Sequence, residues 1–246
     1  MDRTLSRILS LATITLFAFV SARLVVHDVR YVGMVLLVVI GFVVPSWLAR
    51  RRMKRLLISG DIARILGTWE KALDRVTHPE TMAPLMTATA YAAYGFIDHA
   101  RRALERAARG PAWDAAVEQR LFVEALLDVY EGERTRALTK AAELESLPLP
   151  RSSSFWMRRK ISMLRRGVAA LARAFAHQTR AEDERVLRAA ASSSPLVHWA
   201  MRYAHAVVLI DGGRKEEARE LLAGAPVWPQ ESAFRSFHDE LVAQLA

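Results

Sequence analysis

Two long apolar runs dominate the start of the chain. Residues 8–26 are apolar apart from small hydroxyl side chains and Arg23, and residues 31–48 contain no charged side chain. An α-helix rises about 1.5 Å per residue, so about 20 residues cross the roughly 30 Å hydrocarbon core of a bilayer. The segment between the runs is long enough only for a tight turn. The pattern therefore predicts a two-helix transmembrane hairpin over residues 1–49.

A basic juxtamembrane segment, residues 50–55, follows the second run. Positive charge beside a span marks the cytoplasmic side, so both termini and the rest of the chain are predicted to be cytoplasmic. The excess of arginine over lysine is typical of a GC-rich bacterial genome, which makes the bacterial inner membrane the expected location. A cleaved signal peptide remains the alternative for the first run. The candidate contacts to anionic lipid in this segment are Arg50, Arg51, Arg52, Lys54 and Arg55.

Beyond residue 56 the pattern changes to that of amphipathic helices. Ala, Leu, Arg and Glu predominate, and all four favour helix. Proline and glycine separate stretches of about 12–20 residues, and alternating β-branched runs are absent. The predicted fold class is all-α, with helices over residues 56–246.

Three glycines in this region share the same surroundings. Gly95, Gly132 and Gly213 each lie seven residues after one alanine and five before another. A glycine can end a helix in the left-handed conformation, and alanines permit close approach of the two helices that it joins. One such pair cannot bury its apolar face alone, so the pairs are expected to stack as an α-solenoid. A further unit over residues 152–191, centred on Gly167, fits this pattern less well.

The first of these units resembles the tetratricopeptide family at Ala88, Tyr91, Gly95, Ala100, Leu104 and Ala107. The resemblance implies a concave groove that binds a protein partner as a peptide or an amphipathic helix. An irregular helical bundle is the alternative fold. A second alternative is that the groove residues are core, covered by the chain's own last helix near residues 234–245. Registration on the family places seven residues in the groove: Leu85, Thr89, Phe122, Leu126, Tyr130, Tyr203 and Val207.

The net charge of +9 is concentrated in two blocks, residues 1–55 and residues 151–188. Because a phosphate backbone requires a continuous basic face, the pattern does not favour a nucleic-acid partner. The second block is predicted to form one basic helix face that contacts anionic lipid or an acidic partner, the alternative being a solvated face. Its members are Arg158, Arg159, Lys160, Arg165 and Arg166.

Candidate chemistry does not emerge from the sequence. Cysteine is absent, and neither metal-ligand spacing nor a nucleotide-binding or nucleophile motif is present. The acidic residues 182–184 are interpreted as helix-opening residues that favour the helix dipole. We therefore expect no enzyme activity, cofactor or metal.

The first functional hypothesis is a membrane-anchored helical-repeat scaffold that binds a protein partner on the cytoplasmic side. The alternative is a structural or assembly subunit of a membrane complex, with partners contacted through the hairpin. Ala18 and Ala22 form a small-xxx-small pair that would allow close helix approach in this second case. Partner identity and oligomeric state stay open at this stage.

Overall fold

A computed structural model describes residues 30–73, 75–150 and 153–245 of the chain. All regular secondary structure in these ranges is helical, which confirms the predicted all-α class. The helices are α1 (Arg30–Ile58), α2 (Ile62–Leu73), α3 (Pro79–Ala93), α4 (Ile97–Ala108), α5 (Val117–Tyr130), α6 (Arg134–Ser146), α7 (Phe155–Phe175), α8 (Asp183–Ser193), α9 (His198–Asp211), α10 (Lys215–Leu222) and α11 (Ala233–Leu245).

The chain divides between Met53 and Lys54 into two units. Within the described ranges, no helix combines the length and the apolar character needed to cross a membrane. The predicted first span, residues 8–26, lies outside the described residues.

In the second unit, consecutive helices pack as pairs: α3 with α4, α5 with α6, α7 with α8 and α9 with α10. Three of the connecting turns contain the predicted glycines, and Gly95, Gly132 and Gly213 have φ values of 76°, 78° and 73°. The residue after the glycine donates its backbone N–H back into the preceding helix, as Glu133 does to the Asp128 carbonyl at 2.8 Å. This is the Schellman arrangement, in which a left-handed residue ends the helix and satisfies its last carbonyls.

The turn between α7 and α8 corrects the expectation for residues 152–191. Gly167 is not a turn residue, because it lies inside α7. A Cβ at this position would lie 2.7 Å from the Cβ of Ala190, so the glycine lets α7 and α8 approach closely. The turn is made instead by His177, with φ 56°, and Gln178 donates its N–H to the Arg173 carbonyl at 2.9 Å. A search for glycine turns misses this one, since non-glycine residues seldom adopt positive φ.

The alanines that flank the glycine turns are all buried, with at most 1% of their surface exposed. Close packing of the paired helices requires small side chains at these positions. The spacing of alanines around each turn glycine is therefore explained by the close packing of the two helices that the turn joins. These alanines are Ala88 and Ala100, Ala125 and Ala137, and Ala206 and Ala218.

The segment that leads into α11 forms hydrogen bonds to helix pairs that are distant in sequence. The Trp228 indole N–H donates to the Tyr203 hydroxyl at 2.7 Å, and the Ser232 hydroxyl donates to the Tyr94 carbonyl at 2.6 Å. The backbone N–H of Ala233 donates to the Gly95 carbonyl at 2.8 Å. This segment therefore joins the turn between α3 and α4 to helix α9.

Candidate functional site

The predicted groove is largely occupied by the protein's own core. Leu85, Leu126 and Tyr203 have no exposed surface, so they are unavailable to a partner and the expectation of an open groove there is corrected. Helix α11 provides the cover, since Phe234 lies 5.1 Å from the Tyr203 ring and 5.5 Å from the Tyr130 ring between centroids. Burial of Tyr203 beneath the last helix is the arrangement that the alternative interpretation described.

Two other groove residues lie apart from this region. Thr89 and Phe122 line a small pocket of about 180 Å³, together with Leu164 and Leu196. The Thr89 hydroxyl donates to the Leu85 carbonyl at 2.8 Å, so it is already satisfied within its helix. The structure therefore does not bring the seven predicted residues onto one surface.

The remaining two groove residues, Tyr130 and Val207, line a larger pocket, which we call the central pocket. It has a volume of about 290 Å³ and lies between α5, α6, α7, α9 and α11. Its lining combines aromatic and aliphatic side chains with side chains of both charge signs and one amide. The apolar members include Val129, Tyr130, Phe175, Val207, Phe237 and Leu241, and the polar members are Arg134, His177, Asp211, Glu240 and Gln244.

His177 and Asp211 form a polar pair in the central pocket. The His177 Nδ1 lies 2.9 Å and 3.1 Å from the two carboxylate oxygens of Asp211. The left-handed turn at His177 places its imidazole beside the C-terminal end of α9. Sequence reasoning missed this pair because the two residues are distant in sequence and the His177 turn carries no glycine signal.

Tyr130, one of the residues that line the central pocket, has a buried hydroxyl without a hydrogen-bond partner in the described part of the chain. Burial also raises the pKa of Tyr130 far above its ordinary value, so the side chain is neutral. A buried polar group without a partner costs about 1–3 kcal/mol.

The juxtamembrane cations Arg50, Arg51, Arg52, Lys54 and Arg55 are exposed on α1. The Arg51 guanidinium lies 5.1 Å from the centroid of the Trp47 ring, a cation–π contact. Large apolar side chains precede these cations and are also exposed on the helix surface. They are Ile40, Val43, Val44, Trp47 and Leu48.

The second basic set does not form a single face. Arg158, Arg159 and Lys160 are exposed, but Arg165 has only 4% of its surface exposed. Its guanidinium bonds to Glu118 Oε1 at 3.0 Å and to the Leu147 carbonyl at 2.5 Å, which removes it from any lipid or partner contact. Arg166 is partly buried and pairs with Glu182 at 3.1 Å. The expectation of one basic face is wrong for Arg165 and Arg166, because α7 passes from solvent into the packed helices along its length, and lipid or partner contact by residues 158–160 stays a prediction.

Asp183, in the acidic segment at the start of α8, belongs to a buried ion pair that stabilises the fold. It is fully buried, and the Arg173 guanidinium donates to both of its oxygens at 2.9 Å and 2.5 Å. The Arg180 backbone N–H donates to it at 2.8 Å. Burial acts to raise the pKa of Asp183, but these hydrogen bonds outweigh it and hold the pKa below the ordinary value of 3.8.

This lowered pKa predicts acid-side destabilisation. A carboxyl with a depressed folded-state pKa contributes stability above its unfolded-state pKa, and this contribution is lost as the pH falls through the folded-state value. Asp183→Asn is expected to lower the free energy of unfolding at neutral pH and to flatten its decline below about pH 4. Urea unfolding at several pH values measures this, with Asp239→Asn, at an exposed ion pair, as the control. Equal slopes for the wild type and Asp183→Asn would refute the prediction.

No group of three or more metal-ligating side chains occurs in the part of the chain that the structure describes. No known family, curated protein or solved structure that was compared with the chain matches it. The functional argument therefore rests on the geometry of the central pocket and on the exposed surfaces.

Proposed function

We propose that the chain is a membrane-attached helical-repeat scaffold that binds a protein partner through the central pocket. The observation that supports this most directly is the pocket itself, which is lined both by apolar side chains and by side chains of both charge signs. A volume of about 290 Å³ suits one large side chain of a partner helix or peptide. Such inserted anchors supply most of the affinity in protein interfaces.

The recurring helix pairs support the repeat part of the proposal. The turn geometry at Gly95, Gly132 and Gly213 recurs at His177, giving four pairs with the same connection. The recurrence is compatible with an α-solenoid, and the tetratricopeptide-like part of the proposal rests on the sequence resemblance of the first unit. In this proposal α11 fills most of the concave side and leaves the central pocket for the partner.

Membrane attachment is proposed through the first 55 residues. The sequence favours a hairpin with both termini in the cytoplasm of a bacterial cell, as argued from the basic segment. Exposed apolar side chains of α1 are followed directly by exposed cations. This order suits a membrane, in which an apolar hydrocarbon layer lies next to anionic headgroups. The repeat region would then face the cytoplasm.

Filling the central pocket with a bulky side chain tests whether it is the partner-binding site. Gln244 is exposed and lines the pocket, so Gln244→Trp introduces bulk there without disturbing the core. We expect cross-linked partners recovered with the tagged full chain to fall by about tenfold or more, because one anchor side chain contributes about 2 kcal/mol or more. The unfolding temperature should not change.

Gln230→Trp is the matched control, since Gln230 is also exposed but does not line the pocket. Unaltered recovery with Gln244→Trp would contradict the pocket as the partner site. If those partners are instead lost when residues 1–49 are exchanged for an unrelated anchor, the alternative of a membrane-complex subunit that works through its hairpin would be favoured.

A further inference from the structure

The first six residues of α7, which we call the tip segment (residues 155–160), are exposed without exception. Successive helical residues point about 100° apart, so six exposed neighbours leave no covered side. Burial begins only beyond residue 160, where α7 enters the helix pairs. The tip segment therefore projects from the body of the second unit.

The tip segment carries large apolar side chains in water. Phe155, Trp156 and Met157 are 71%, 70% and 50% exposed. The Phe155 and Trp156 rings contact each other, with centroids 5.8 Å apart. Contiguous exposed apolar side chains mark an interaction site, because folding alone does not select for them.

Three cations follow directly. Arg158, Arg159 and Lys160 form no ion pair with any other described residue. The first turn of α7 contains no acidic residue, so this basic charge near a helix N-terminus opposes the helix dipole. An unfavourable interaction with the helix dipole is a local cost in stability, and proteins retain such costs where the residues serve a function.

We propose that the tip segment is a second membrane contact, in which Phe155, Trp156 and Met157 enter the bilayer interface and the three cations bind anionic headgroups. Aromatic side chains favour the interfacial depth, and basic residues close to the surface attract acidic lipid. The inference rests on the membrane attachment proposed above and not on the central pocket.

A bilayer suits this segment better than an acidic protein does. A stable protein interface buries about 800 Å² on each partner, and such interfaces are broad and packed. A projecting turn and a half of helix offers no such surface, whereas insertion into lipid requires only a small apolar tip with cations behind it.

The absence of cysteine makes the test direct. Trp156→Cys in the full chain provides one thiol for an environment-sensitive fluorophore, and the labelled protein is mixed with vesicles of phosphatidylcholine with or without phosphatidylglycerol. We expect a blue shift, a several-fold rise in fluorescence and quenching by nitroxide lipids with the anionic vesicles. Val227→Cys is the matched control, because Val227 is apolar and 90% exposed but has no cations beside it.

The cations are tested in the same labelled chain. Replacing Arg158, Arg159 and Lys160 by glutamine should reduce insertion about 100-fold, as three surface cations each contribute about fivefold. A label that stays in water with both kinds of vesicle overturns the proposal, as does equal insertion with and without anionic lipid. A fluorescence change that needs an added acidic protein and not lipid also overturns it.

Vesicle flotation distinguishes a failure of the proposed tip contact from a failure of the proposed membrane attachment. If the unlabelled full chain floats with vesicles while the label at position 156 remains in water, membrane attachment stands and the tip contact is wrong. If the chain does not float at all, both are wrong.

Discussion

Replacing Phe234 by alanine is expected to lower the free energy of unfolding by about 3–5 kcal/mol. Phe234 has no exposed surface, and its ring packs against Tyr130, Tyr203 and Trp228 at centroid distances of 5.0 to 5.5 Å. Its neighbours are fixed by hydrogen bonds of the Trp228 indole and the Ser232 hydroxyl, so they cannot collapse freely into the cavity. The loss would loosen α11 from the helix pairs that it covers.

Chemical denaturation of the full chain in detergent measures this effect. Phe155→Ala is the matched control, because the same side chain is removed from a position that is 71% exposed. The control should alter the unfolding free energy by no more than about 0.5 kcal/mol. Similar small losses for both variants would show that α11 does not contribute to the core.

Replacing Arg165 by alanine should have the second-largest effect, a loss of about 3 kcal/mol. Removing one partner of a buried ion pair costs about 3–5 kcal/mol, and the lower end applies here because Glu118 remains 31% exposed. The substitution also leaves the carbonyls of Leu147 and Pro148 without their donor. Arg165 therefore fixes the connection between α6 and α7 to the body of the fold.

Arg158→Ala serves as the control on the same helix, since Arg158 is exposed and its removal should change stability by less than about 0.5 kcal/mol. The two variants should show the opposite order in vesicle binding, with only Arg158→Ala weakening it. Equal destabilisation by both would contradict the division of α7 into an exposed tip and a packed body.

Of the seven residues that the sequence placed in a partner groove, only Tyr130 and Val207 line the central pocket. Helical periodicity is local information, so the sequence can indicate which residues share one face of a helix. The same periodicity could not show that α11 returns to cover Tyr203, because a contact between residues distant in sequence leaves no local pattern. For the same reason, the pairing of His177 with Asp211 was not visible.

By itself, the sequence determined the all-α class, the glycine turns and the buried alanines that flank them, because helix propensity and left-handed turns depend on near neighbours. Only the tertiary structure decided which residues of one amphipathic helix face solvent. On α7, for example, Arg158 is exposed whereas Arg165 is buried. Residues seven apart on a helix share a face, but burial depends on how far the neighbouring helices extend along it. That extent is set by packing between distant segments, and it separates the exposed tip segment from the core.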